Sequence, residues 1–394
     1  MAFNNFKSRL KQKIWRNIKD FFYEERIKDT TIIQNINYSA ALIDQKKAVI
    51  CYITDSYLLD WEQINVGRTQ PKEILSITKV IGELGYSIDI IGCNDTKAVD
   101  LIKTKKYDLI FGFGEAFYQL TKINPKAITV WYLTEHHPDF AEKEERKRLD
   151  YFEERKNKTA RVVRTGNFYK KHHLEKKYSQ VITMSEIEPF QTMYPNIKSI
   201  FPTGFYNKNF SSNQKNHEEG RKHFLWFGSF GAIHKGLDIL LDIFEKRDDI
   251  FLHVGGLSEE DRILLYPKKK ENIIDYGHIN INSDVFLDII NKCTFTILPS
   301  CSEGFSTSIT TCMRHGLIPI VNKDTGFNRV KENAFFLDDF KVDYINNKLT
   351  EYSNYKTEKL EEISNNVLKF AQENYTIEAF QENFNTIINS ILKE

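Results

Sequence analysis

Little in this sequence is extreme, and each shortage removes a class of protein. Among 394 residues there are 5 cysteines (Cys51, Cys93, Cys293, Cys301 and Cys312), scattered and without a CxxC pair. Neither a disulfide framework nor a zinc site is expected, and free thiols in a reducing compartment are. No apolar run approaches the roughly 20 residues that cross a bilayer, and no secretory signal pattern is present. The formal net charge is +1, so no general pull toward nucleic acid exists, and any basic surface must be local. What remains is a globular, cytoplasmic chain, too long for one ordinary core and therefore expected to form two domains.

One segment departs from that picture. Residues 3–22, FNNFKSRLKQKIWRNIKDFF, set Phe3, Phe6, Leu10, Ile14, Ile18, Phe21 and Phe22 at helical spacing. Lys7, Arg9, Lys11, Lys13, Arg16 and Lys19 lie mostly on the other faces. The pattern is that of a helix lying in a membrane surface; the plainer alternative is a helix docked on its own domain with a solvated charged face.

From Lys47 onward strands and helices alternate. AVICYIT, YSIDIIG, YDLIFGFG, ITVWYLT and SQVITMSE read as buried strands separated by helical stretches, which implies a doubly wound parallel sheet. Most of the charged run from Ala141 to Tyr178 reads as exposed helix. After KSIFPTGF (198–205) the rhythm restarts with HFLWFGSF, IFLHVGGL, IIDYGHI, TFTILPS and LIPIVNK. The expected organisation is a basic helical segment over 1–45, a first α/β domain over 46–200, a second over 201–372, and a closing helix over 373–394 that could pack back on the first domain.

The chemistry concentrates in LPSCSEGFSTSITTCMRHGLIPIV, from Leu298 to Val321. A loop entering a helix presents unpaired N–H groups and the positive end of a dipole, a natural anion site. Gly304 allows close backbone approach, while Ser306, Thr307 and Ser308 add hydroxyls. Upstream, Gly228-Ser229-Phe230-Gly231 leaves a strand in the same manner, and Lys235-Gly236 supplies a cation. In doubly wound sheets such loops meet at the carboxyl ends of the strands. Alone, each element is usually just a turn or a cap; their order and spacing carry the signal.

FGSFGAIHKGLDILL, HVGGL, YGHI and DVFLDIINKCTFTILPSCSEGFSTSITTCMRHGLIPIV together resemble the donor-binding domain of retaining glycosyltransferase family 4. The resemblance is strong over about 200–330 and only architectural over 45–200. It implies the GT-B fold: α/β, with two doubly wound Rossmann-like domains facing a cleft. It also implies a retaining, metal-independent transferase that takes a UDP- or GDP-linked sugar as substrate and needs no cofactor or metal; no DxD pair occurs in the chain. By resemblance Lys235 contacts the donor diphosphate and Glu303 holds the donor sugar. Gly304, Phe305, Ser306 and Thr307 lie against sugar and phosphate, and Tyr276, His278 and Ile279 lie where the base rests. Gly67 lies in the loop that approaches the diphosphate. His136 or His137 matches a histidine near the reacting sugar, with His136 preferred and the other left to orient the loop.

Two departures stand out. Where the family has a second glutamate eight positions after the first, this chain has Thr311, and where it has an arginine near the lysine, this chain has Ser229. The expected function is transfer of a sugar to a hydroxyl of a glycan or lipid-linked acceptor in cell-surface polysaccharide or glycoconjugate synthesis, with a membrane surface as a possible partner. A sugar-nucleotide epimerase of the same fold, or a non-catalytic sugar-nucleotide-binding subunit, are the alternatives.

Overall fold

A computed structural model describes residues 30–38, 46–58, 69–164, 169, 171–265 and 270–393. The basic segment 3–22 and Gly67 lie outside the described residues. Two β-sheets organise the rest. The first contains β1 (Ile32–Ile36), β2 (Lys46–Tyr52), β3 (Tyr86–Gly92), β4 (Leu109–Gly112), β5 (Ile128–Leu133), β6 (Gln180–Thr183) and β7 (Lys198–Ser199). Their spatial order is β1-β3-β2-β4-β5-β6-β7. All pairings are parallel except β1 with β3.

The second sheet contains β8 (His223–Phe227), β9 (Phe251–Gly255), β10 (Ile273–Asp275), β11 (Phe295–Leu298), β12 (Ile318–Asn322) and β13 (Phe335–Leu337). It is parallel throughout, in the order β10-β9-β8-β11-β12-β13. That is the doubly wound dinucleotide-fold order, which reverses direction between β8 and β11. In the first sheet the reversal falls between β2 and β4. The strands are apolar because helices cover both faces: Ala48, Val49, Ile50 and Cys51 are fully buried, and so are Leu109, Ile110 and Phe111.

The helices that place the site are α1 (Gln70–Glu83), α2 (Gly114–Ile123), α3 (Pro138–Lys156), α4 (Lys171–Leu174), α5 (Leu237–Phe244), α6 (Asp284–Lys292), α7 (Thr307–Met313) and α8 (Ile377–Lys393). α1 opens with Pro71 in its first turn and stops before Gly85, whose φ of 90° only glycine adopts readily. Ser283 caps α6 by accepting from the Phe286 N–H. α8 returns to the first sheet, where Phe384 meets Phe111 edge-on at 5.5 Å.

The charged run holding α3 departs from expectation. Ala141, Glu145, Arg148, Leu149 and Phe152 of α3 are buried, not solvated. Arg155 pairs with Asp238 and Asp242 of α5, and Lys156 with Asp242. Lys143, Arg146, Lys147, Asp150, Glu153 and Glu154 are exposed as expected, but the charges at the C-terminal end are partners for another element, so α3 bridges from the first sheet's strands to the second sheet's helices.

Candidate active site

The carboxyl ends of β2, β4, β5, β8 and β11 face one cavity of about 450 Å³, within the usual range for small-molecule sites. Its walls include Tyr52 and Ile53, Phe113, Thr134 to His136, Phe227 to Ser229, and Ser302 to Ser308. Every group follows a strand end, and both sheet reversal points contribute. The two halves approach closely here: a Cβ on Gly304 would sit 2.3 Å from the Thr134 carbonyl oxygen and 2.8 Å from Glu135 Cα. Only glycine fits between these loops.

Glu303 is the centre of the charge arrangement. Its Oε1 accepts from Lys235 Nζ at 3.0 Å and from the Ser300 hydroxyl at 3.2 Å, and its Oε2 lies 3.4 Å from an Arg164 guanidinium nitrogen. Burial pushes the carboxyl up, but Lys235, Arg164 and His234 outweigh burial and hold it at about 2. Burial depresses the Lys235 ammonium, and Glu303 beside it opposes that. Lys235 is placed by the turn before α5: Trp226 Nε1 donates to its carbonyl at 3.1 Å. Gly236 follows at φ 71°, where a Cβ would strike Pro299. His234 Nε2 donates to the Ser302 carbonyl at 2.6 Å, and Cys301 N–H donates to the His234 carbonyl. The two loops are thus laced together around the ion pair.

Arg164 is a cation at the site that sequence reasoning missed. It comes from the first half, 139 positions before Glu303. Its N–H and that of Val163 both donate to the buried Glu145 carboxylate of α3. A Cβ added to Gly231 would meet Arg164 Cγ at 3.1 Å, so the arginine stem lies over the loop that carries Ser229. A cation absent from position 229 is therefore present in space, delivered by another segment. No sequence spacing encodes this, because α3 folds across the halves.

The remaining expected residues divide clearly. Ser229, Gly304, Phe305, Ser306, Thr307 and Thr311 line the cavity. The Phe305 ring packs on Phe327 at 4.3 Å. The Thr311 hydroxyl is already committed, donating to the Thr307 carbonyl at 2.7 Å and accepting from Phe205 N–H at 3.0 Å. His136 lines the cavity, stacks on Phe140 at 4.2 Å and is driven by burial down to about 4, hence neutral. His137 precedes α3 and packs toward Phe190.

Tyr276, His278 and Ile279 follow the edge strand β10 and are not among the lining residues. Tyr276 hydrogen-bonds His253 at 2.9 Å, His278 is exposed, and Ile279 is buried against Gly255. Glu135, unmarked by any spacing, lies in the wall; burial raises its carboxyl, Arg164 lowers it and Glu303 raises it.

This architecture, two Rossmann-like domains with the loops of both sheets meeting at one cavity, is the GT-B fold. Residues 207–370 match the model of the family described as Glycosyl transferases group 1, a span that holds β8 to β13. Sucrose-phosphate synthase from Thermosynechococcus elongatus has a similar fold, with a TM-score of 0.63 at 13% identity over 89% of this chain and 99% of that one. Anabaena HepE in complex with UDP and glucose gives 0.53 at 13% identity over 89% and 100%. The pneumococcal O-GlcNAc transferase GtfA with UDP and GlcNAc gives 0.52 at 13% over 78% and 62%. No curated protein sequence matches the chain.

Proposed function

We propose that the chain is a retaining glycosyltransferase. It would move a sugar from a UDP- or GDP-linked donor to a hydroxyl of a glycan or lipid-linked acceptor, with no divalent ion in the reaction. The observation that carries this reading is the convergence of Lys235 and Arg164 on Glu303 inside the shared cavity. Two cations, buried Lys235 and partly exposed Arg164, beside one carboxylate suit a pyrophosphate on one side and sugar hydroxyls on the other. As the bond from the anomeric carbon to the diphosphate breaks, negative charge grows on the leaving group. Lys235, Arg164 and the backbone of residues 304–306 would stabilise it without reorganising. The acceptor oxygen bonds to the same carbon from the face the diphosphate leaves, and its proton passes to the departing phosphate oxygen. Glu303, held by two cations and a serine, positions the sugar and forms no covalent bond. Neutral His136 lies in the wall opposite, suited to hydrogen-bond a sugar hydroxyl.

HepE and GtfA, which share the fold, bind UDP with a sugar, so UDP is the first nucleotide to test. The basic segment 3–22 supports a place at the inner face of the cell membrane and a role in cell-surface glycan synthesis. Vesicle co-sedimentation with and without residues 1–28 checks that part; equal binding ends it. For the reaction, calorimetric titration with UDP and GDP is followed by an assay of donor hydrolysis and transfer. Binding with turnover is expected, and no binding of either nucleotide overturns the reading. Binding without turnover across donors and acceptors would favour a sugar-nucleotide-binding subunit, the reading that Thr311, with its hydroxyl already spent inside the protein, supports.

A further inference from the structure

Away from the cavity lining, three side chains of metal-ligating type converge. Glu115 stands in the first turn of α2, and His172 and His173 are consecutive in α4. His172 Nε2 lies 3.1 Å and His173 Nε2 3.2 Å from the same atom, Glu115 Oε2. One ligand atom from each residue falls within a sphere where all pairs are 4.8 Å apart or less. Gln119, one turn along α2, donates Nε2 to the other carboxylate oxygen, Glu115 Oε1, at 3.1 Å. The carboxylate is thereby oriented, one oxygen fixed by its own helix and the other turned to the imidazoles. The Tyr118 ring packs on both histidines, at 4.7 and 5.2 Å. His173 is 2% exposed and His172 42%, so the cluster has a buried wall and an open side.

We propose that Glu115, His172 and His173 form a divalent transition-metal site, best matched to zinc, that ties α4 to α2. Two imidazoles and one carboxylate suit zinc and its neighbours better than magnesium or calcium, which prefer oxygen alone. In tetrahedral zinc sites with bonds of about 2.0–2.2 Å, ligand atoms sit roughly 3.3–3.6 Å apart. The two glutamate–histidine separations, 3.1 and 3.2 Å, are slightly shorter and all three ligand atoms lie within 4.8 Å of one another, so an ion would adjust the cluster and would not need to rebuild it. Gln119 supplies the outer hydrogen bond that such ligands usually have. Three protein ligands leave a fourth position on the open His172 side for water. The competing arrangement, two imidazoles each donating Nε2–H to the same carboxylate oxygen, gives the same distances and is the state a metal would replace.

The site stands outside the cavity and apart from the transfer chemistry, because none of the three residues lines the cavity. Its effect would be bracing. α4 lies just beyond Tyr169, whose hydroxyl accepts from the Thr134 N–H at 2.8 Å, and Thr134 is the residue against which Gly304 is pressed.

The test uses the full-length chain, stripped with a chelator and titrated with Zn²⁺ alone by calorimetry, with thermal midpoints measured in chelator and in zinc. One equivalent should bind the wild type and raise its midpoint. His172→Ala should bind at least about tenfold more weakly, and zinc should raise its midpoint above its own value in chelator by less than it raises the wild type's. Glu115→Gln should weaken binding as well. A wild-type chain that binds no zinc, or a His172→Ala chain that binds it as tightly, overturns the proposal.

Discussion

Arg164→Ala isolates the least expected part of the site. The guanidinium lies 3.4 Å from Glu303 and its side chain is 34% exposed. A hydrogen bond to a charged group contributes about 1.5–3 kcal/mol, and partial exposure places Arg164 at the lower end through solvent screening. A loss of about 1.5–2 kcal/mol corresponds to roughly 10–30-fold weaker binding. The fold should survive, because Glu303 keeps Lys235 and Ser300, and Glu145 holds the 163–164 backbone and not the side chain. Calorimetric titration of UDP should show the loss, whereas titration of uridine, which lacks the phosphates, should show none. Returning an arginine to the adjacent loop, as Ser229→Arg in the Arg164→Ala background, should recover part of the affinity. If Arg164→Ala binds UDP as tightly as the wild type, or loses uridine equally, the cation does not serve the diphosphate and the argument fails.

Three further outcomes follow from the same geometry. Gly304→Ala places a methyl 2.3 Å from the Thr134 carbonyl oxygen, so it should cost about 1–3 kcal/mol of stability and most activity, read by denaturant midpoint and turnover. Glu303 has a depressed folded-state value of about 2, so its contribution is present above the free carboxyl range and lost as pH falls from about 4.3 toward 2. The stability difference between wild type and Glu303→Gln, measured by denaturation across that window, should therefore shrink with acid; a constant difference contradicts the assigned ionisation. Glu73 is buried and accepts from both Thr203 N–H and Thr203 Oγ1, at 2.9 and 2.8 Å. Glu73→Ala should destabilise by about 1–3 kcal/mol by leaving the Thr203 donors unpaired at the crossover between the sheets.

The second half was legible because its function and its fold share one short stretch. The 237–244 and 284–292 helices, the strands they separate, and the Glu303-Gly304 loop all follow local patterns of period and cap. The edge strands β1 and β13 were not legible. They are five and three residues long and largely half-buried: β1 is interrupted by Gln34 and Asn35, and the apolar Phe335–Leu337 of β13 is too short to stand out as a strand.

Within the site, Lys235 and Glu303 were readable as neighbours through their loop chemistry, 68 positions apart. Arg164, Glu145 and Glu135 were not, because their meaning depends on α3 crossing between the halves. A run such as EERKRLDYFEERK gives the same pattern whether its charges face water or a partner helix. The same holds for Glu115, His172 and His173, joined only when α4 folds onto α2.

The most direct measurement is a crystal structure of the chain grown with UDP. The account places the pyrophosphate against Lys235 and Arg164, beside the backbone of residues 304–306, with Glu303 turned toward the sugar position. A nucleotide bound elsewhere, or a cavity that keeps the Lys235–Glu303–Arg164 cluster closed at saturating UDP, would contradict it.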